Sequence, residues 1–359
     1  MRIAMISTPF LAVPPKGYGG TELVIFELVE GLVDQGHEVT LFATGDSNTR
    51  AALCYLYKKS KWPPHPIVDL NHVTWSFSQI NSGKFDAIHT HSPSALAMNR
   101  LVPELPMIYT IHHEQEQELS EYYLNFPEVH YVTISQNQKS LETPLPHCDV
   151  IHHGLDPSRF ECVDVPRDYV CFIGRFSKDK GPHTAIDAAG KAHLTIHVAG
   201  EVHPDSAEFA GKLLKPRLNL PHVKCIGCVG TSQKVPLLRD ARALLAPLEW
   251  EEPFGLVLIE AMLSGCPVVA YPRGSAPELV EAGVTGYLVA SVEEMAETIK
   301  KGGLLDSFDR RRCRERATER FSRTRLVTNY SALYERVISA RARQPCAQRA
   351  NLSLLSYER

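Results

Sequence analysis

The sequence predicts an α/β protein of two domains, each a parallel β-sheet covered by helices. Three observations carry that expectation. The chain has 359 residues, 44% of them hydrophobic, which is more than one ordinary core needs and right for two. Short β-rich runs alternate with amphipathic helical runs, as strands joined by helical crossovers do. The alternation occurs twice, once in each half, on either side of a proline-bearing stretch at 156–168 with few long apolar runs.

In the first half, residues 3–6 read as a buried strand. Residues 21–34 then read as a helix, with Leu23, Phe26, Leu28, Val29, Leu32 and Val33 on its apolar side and Gly36 as its stop. Residues 39–43 form a second strand, and further strands fit 87–89, 107–111 and 129–134. In the second half, strands fit 170–173, 194–199, 223–226, 243–246 and 267–270, with helical runs between them. After Ser291 the chain reads as helical to about Ala340. The remainder, 341–359, holds Pro345 and no clear periodicity, and is read as a tail.

Composition removes several classes. A net charge of -3 with 22% charged residues lacks the basic excess of a nucleic-acid binder. No run approaches the ~18 apolar residues of a membrane span. The opening MRIAMISTPF is too short in its apolar part for a secretory signal and suits a first strand. A cytoplasmic location is expected, with peripheral membrane association left open. The nine cysteines are scattered. Cys171 and Cys266 sit in apolar runs, and Cys225 with Cys228 forms a single CxxC lacking the second pair of a zinc site.

The sharpest chemical segment is 251–261, from Glu251-Glu252-Pro253-Phe254-Gly255-Leu256 to Glu260-Ala261. It follows the strand at 243–246, and Pro253 suits a helix entry. The helix is expected at 256–263, with Gly265 as its stop. Free backbone N–H groups would then lie at the end of a strand, where they attract phosphate. Glu252 precedes that helix and Glu260 lies two turns in. A carboxylate can accept from vicinal hydroxyls of a sugar or ribose. A second cluster, Gly174-Arg175-Phe176-Ser177-Lys178-Asp179-Lys180-Gly181, places Arg175 and Lys180 on a strand-to-helix loop. There a guanidinium fork and a mobile ammonium can both meet a diphosphate, and Lys178 reads as solvated. A third, Lys16-Gly17-Tyr18-Gly19-Gly20-Thr21-Glu22, permits close backbone approach after the first strand but is not a dinucleotide fingerprint.

Among the 16 histidines, His112 and His113 close one strand, and His89 and His91 close another. His112 suits a polar contact to a bound sugar. The HxH pair lacks a third ligand at metal-site spacing. His152 and His153 precede Gly154 and read as hinge or packing residues. No nucleophile elbow and no P-loop pattern is present.

Taken together, these residues resemble the family 4 retaining glycosyltransferases of the GT-B fold. The resemblance runs to about Ala340. It is carried by Gly19-Gly20-Thr21-Glu22, Thr110-Ile111-His112, His153-Gly154-Leu155-Asp156, Gly174-Arg175 through Lys180-Gly181, and Ala199-Gly200-Glu201. Glu252 and Glu260 with seven residues between them, Pro277-Glu278-Leu279-Val280 and Gly286-Tyr287-Leu288-Val289 complete the order. The resemblance implies two Rossmann-like domains facing a central cleft: 1–160 on the acceptor side, 161–322 on the donor side. It also implies a helix at 323–340 crossing back to the first domain.

The resemblance also implies roles. Arg175 and Lys180 would bind the donor diphosphate, with Gly19 and Gly20 close by. Glu260 would hold the ribose hydroxyls, with Glu201 and Val229 near ribose and base. Glu252 would contact the transferred sugar beside the backbone of Phe254, Gly255 and Leu256. His112 would lie near the anomeric carbon. The implied reaction moves a hexose from a nucleotide-sugar, UDP-glucose or a relative, to a sugar or polysaccharide-precursor acceptor. It proceeds with retention and needs no cofactor and no obligatory metal. A nucleotide-sugar 2-epimerase and a non-catalytic nucleotide-sugar-binding scaffold are the alternatives. The first half is short and carries no strongly basic amphipathic helix, which speaks for a simple acceptor site and against a lipid acceptor.

Overall fold

The computed structural model describes residues 1–17, 19–80 and 83–343. The chain divides into two compact units, Met1–His153 together with the chain from Arg323 onward, and Gly154–Ser322. Each is built on one parallel sheet.

In the first unit, β1 (Arg2–Ile6), β2 (Glu38–Phe42), β3 (Ala52–Cys54), β4 (Ala87–Thr90), β5 (Met107–Thr110), β6 (His130–Thr133) and β7 (Cys148–Val150) pair in the order β3-β2-β1-β4-β5-β6-β7. The pairing is parallel throughout. Ile3, Ala4, Met5 and Ile6 are fully buried, which is why this strand reads as a continuous apolar run: helices cover both faces. The crossovers include α1 (Gly20–Asp34), α2 (Pro66–Gln79), α3 (Gln117–Tyr123) and α4 (Gln136–Leu141). In α2, Pro66 opens the helix and the His65 ring accepts from the Ile67 N–H.

In the second unit, β8 (Tyr169–Ile173) leads to α5 (Pro182–Lys191) and β9 (Thr195–Ala199). Two short helices, α6 (Ala207–Phe209) and α7 (Lys215–Leu218), flank a π-helical stretch before β10 (Val223–Gly227) and α8 (Thr231–Asp240). Then come β11 (Leu244–Ala246), α9 (Leu256–Leu263), β12 (Val268–Ala270), α10 (Ala276–Leu279), β13 (Gly286–Leu288), α11 (Val292–Ile299) and α12 (Arg310–Phe321). The strand order is β10-β9-β8-β11-β12-β13, again all parallel. In both sheets the order reverses beside the first strand, at β1/β4 and at β8/β11. Ligands of open parallel sheets gather at such switch points, outside the C-terminal strand ends.

The division falls between His153 and Gly154, ahead of the expected boundary at 160. Residues 154–160 are tied to the second unit. The Leu155 N–H donates to the Phe321 carbonyl at 2.9 Å, and Arg314 donates to the Pro157 carbonyl at 2.8 Å.

The helix expected at 323–340 is α13 (Arg323–Arg343), and it returns to the first unit. It packs on α1 so closely that a Cβ at Gly31 would lie 2.3 Å from Val327 Cγ2. Arg323 pairs with the fully buried Glu27 carboxylate at 2.5 Å. Of the expected tail at 341–359, residues 341–343 extend this helix, and the rest lies outside the described residues.

Candidate active site

The residues singled out from the sequence fall in both units, and each set is built within its own. In the second unit the loops after β8 and β11 carry most of them. The loops are joined by a backbone bond from the Glu249 N–H to the Asp179 carbonyl at 2.8 Å. This brings Lys180 against Glu252: Lys180 Nζ pairs with Glu252 Oε2, and both side chains are largely buried. Trp250 completes the group. Its indole N–H donates to the same oxygen at 3.2 Å, and Lys180 Nζ lies 4.2 Å from its ring centroid.

Arg175 follows β8 after Gly174. Its Nε is buried and has no hydrogen-bond partner among the described residues, and the same holds for the Ser177 hydroxyl. No counter-ion meets the Arg175 guanidinium among the described residues. Lys178 is exposed, as expected.

The helix α9 has the expected bounds, but Pro253 does not open it. Gly255, in the left-handed region at φ 81°, is the residue before the first turn and gives no side-chain cap. The loop must swing from Pro253 through this left-handed step before the helix can start, so a proline entry is replaced by a glycine one. The first-turn N–H groups of α9 carry the dipole's positive end. The loop is held from behind by the turn after β12. Ser275 N–H donates to the Glu252 carbonyl at 3.0 Å, and its hydroxyl donates to the Phe254 carbonyl at 2.5 Å. The Phe254 ring is core, edge-on to Phe321 at 6.3 Å, so only its backbone is available to a ligand. Leu256 is half-buried at the helix start.

Glu260 sits inside α9 with its side chain 3% exposed. Lys234, from the first half of α8, reaches its Oε1 at 2.5 Å. The sequence reading missed this lysine. No local signal exists for it, because the partner lies 26 positions away on another helix. Val229 lies half-buried just before α8. The Glu201 side chain is exposed after β9, while its carbonyl accepts from the Phe176 N–H at 2.8 Å.

In the first unit, Gly19 precedes α1 and Gly20 is its first residue. Glu22 turns inward: Thr8 donates to it at 3.1 Å, and burial pushes its carboxyl up from the ordinary range. Tyr18 lies outside the described residues. His112 follows β5 and joins a histidine cluster. His91 Nδ1 lies 2.8 Å from His112 Nε2, His91 Nε2 lies 3.2 Å from the Met5 sulfur, and the His112 and His153 rings stack at 5.4 Å. A thioether only accepts. The tautomer that satisfies every contact has His91 donating to Met5 from Nε2 and accepting from His112 at Nδ1. Behind them, His89 bonds the Tyr334 hydroxyl at 2.7 Å and the Thr110 hydroxyl at 2.8 Å. Burial lowers the whole cluster, His89 and His112 to about 3 each, so these rings are neutral near pH 7. His91, read from the sequence only as half of an HxH pair, thus supports His112.

Cys225 and Cys228 are both exposed free thiols. Among the described residues no group of three or more His, Cys, Asp or Glu side chains has metal-site geometry, and no helix is long and apolar enough to cross a membrane.

Solved structures share the fold of the chain. AviGT4, a glycosyltransferase involved in avilamycin A biosynthesis, superposes with a TM-score of 0.75 at 23% identity, covering 94% of this chain and 98% of its own. Anabaena Alr3699/HepE in complex with UDP-glucose gives 0.72 at 20% identity, over 94% and 100%. The two parallel-sheet α/β units therefore define a protein of the GT-B fold.

At the sequence level, the family described as Glycosyltransferase Family 4 matches residues 18–159, and that described as Glycosyl transferases group 1 matches residues 161–320. The spore coat protein SA of Bacillus subtilis is 25% identical over 94% of this chain and 100% of its own length. The chain belongs to the family 4 glycosyltransferases.

Proposed function

We propose that the protein is a retaining glycosyltransferase. It moves a hexose from a nucleotide-sugar donor, UDP-glucose or a close relative, to a sugar or polysaccharide-precursor acceptor. The observation that carries this reading is the end of β8. There, among the described residues, Arg175 has no counter-ion and Lys180 is held only by Glu252 and Trp250. A diphosphate satisfies both cations. When it takes Lys180, the Glu252 carboxylate is released to accept from hydroxyls of the transferred sugar. Glu260 takes the ribose, and the N-terminus of α9 adds positive potential at the phosphates.

Arg175, Lys180 and that helix end stabilise the leaving diphosphate, so the charge that develops needs no obligatory metal. The glycosidic bond to phosphate breaks as the acceptor oxygen bonds the anomeric carbon from the same face. The leaving phosphate oxygen takes the acceptor's proton. His112, neutral and fixed through His91, supplies a polar contact beside the reacting carbon.

We also propose peripheral association with an anionic membrane surface. Lys58, Lys59 and Lys61 are exposed beside exposed Trp62, Ile67 and Leu70, at the entry to α2. Clustered lysines next to an aromatic and aliphatic patch suit a lipid headgroup layer. This basic and apolar segment lies largely in the loop before α2, outside the helical pattern sought in the sequence.

The testing experiment screens UDP-, GDP- and ADP-sugars for thermal shift and slow donor hydrolysis. One nucleotide series should stabilise the protein, and one sugar should be released with its anomeric configuration retained. Formation of the C2 epimer from donor alone, or no shift with any series, would overturn the assignment.

A further inference from the structure

Glu260 is nearly enclosed, and a buried carboxylate stripped of its counter-charge is strongly unfavourable. Lys234 supplies that charge, and it does so at one oxygen only. Its Nζ meets Oε1 at 2.5 Å, while Oε2 makes no hydrogen bond with the described residues. Lys234 is itself held in place. Its N–H donates to the Gly230 carbonyl at 2.9 Å in the first turn of α8, and its side chain is 19% exposed. The carboxylate therefore has a tethered oxygen and an untethered one.

We infer that Lys234 is a positioning residue for nucleotide recognition: it tethers Glu260 Oε1 so that Oε2 alone accepts from the vicinal hydroxyls of ribose. This rests on the proposed role of Glu260. Selection of ribose over deoxyribose then depends on Lys234, although the lysine does not touch the sugar. With Lys234 removed, the carboxylate loses its fixed rotamer and its counter-charge together. A purely structural ion pair between α8 and α9 would instead set stability and leave ribose selection alone.

The test measures dissociation constants of UDP, GDP and ADP and of their 2′,3′-dideoxy counterparts by calorimetry, using the full-length wild type, Lys234→Met, Lys234→Arg and Glu260→Gln. A hydrogen bond to a charged group corresponds to a ratio of about 10- to 100-fold, so the wild type should prefer its ribonucleotide by that factor. Glu260→Gln and Lys234→Met should bring the ratio to within about threefold of unity, and Lys234→Arg should keep most of it. If Lys234→Met gives no folded protein, Lys234→Gln is judged by the same ratio. A lysine variant that melts earlier yet keeps the wild-type ratio overturns the inference alone. A wild-type ratio that survives in Glu260→Gln overturns the assignment of Glu260 beneath it. A wild type that binds none of the three diphosphates overturns both.

Discussion

Gly274 stands directly behind Glu252, and replacing it with alanine tests whether the position of that loop matters for turnover. Its φ is +57°, and an added Cβ would lie 2.3 Å from the Glu252 nitrogen and 2.5 Å from its carbonyl oxygen. Ordinary contact needs about 3.5 Å, so the Glu252 backbone must retreat by about 1 Å. The left-handed conformation itself costs about 1–2 kcal/mol for a residue with a Cβ. In a unit of this size that lowers the melting temperature by about 2–8 °C. A displacement of ~1 Å at a positioning group can cost about a hundredfold in rate. Gly274→Ala should therefore lose about a hundredfold in kcat/KM with the nucleotide-sugar and bind free nucleoside diphosphate within about threefold of wild type. Gly283→Ala is the control. Gly283 has φ +74° and nothing within 4 Å of an added Cβ, so it bears the conformational cost without the displacement. Equal activity losses in the two variants would refute the reasoning.

Lys180→Ala should mainly lower turnover, by about 10- to 100-fold, and Glu260→Ala should mainly weaken nucleotide-sugar binding by a similar factor. Steady-state donor hydrolysis beside calorimetry separates the two, and unchanged values in both variants would remove these residues from the site. The buried histidines make stability pH-dependent. His89 and His112 have folded values of about 3, below the ordinary 6.5, so from about 6.5 down to about 3 the unfolded chain binds protons that the folded chain does not. Stability is thus full above 6.5 and is lost as pH falls, by about 1.4 kcal/mol per histidine per pH unit. Denaturant unfolding of His89→Gln at pH 7.5 and 5.5 should show a pH-dependent loss about 1.4 kcal/mol smaller than wild type, and an unchanged loss would contradict the burial argument. Trp62→Ala should reduce sedimentation with vesicles containing phosphatidylglycerol, with no wild-type binding to pure phosphatidylcholine. Equal binding of both proteins would exclude the patch.

The interior strands were legible because residues such as Ile3–Ile6 and Val170–Phe172 are buried and leave unbroken apolar runs. The edge strands β3, β7 and β13 were not assigned as strands. Each has three residues, and in β3 and β7 none is fully buried, so neither length nor alternation marks them. The helix α2 went unassigned, since Asp69, His72 and Ser76 occupy its buried side and blur the apolar stripe. The bounds of α9 were legible from Leu256 to Leu263, yet the start was credited to Pro253 where Gly255 makes the turn. Partners distant in sequence left no trace: nothing near Glu260 points to Lys234, and nothing near His112 points to the His91 ring that faces it.

The return of α13 sets an order of assembly during synthesis. The second unit is bounded by Leu155 and Phe321, which bond each other, so it is complete as soon as Ser322 has been made. The first unit, although its sheet emerges earlier, must wait. Until α13 arrives, the enclosed Glu27 carboxylate lacks Arg323, and His89 and Thr110 lack the hydroxyls of Tyr334 and Tyr330. Of the two units, the one whose sheet is translated first is therefore the one finished last. A chain released at Ser322 would carry a finished second unit joined to an unfinished first one.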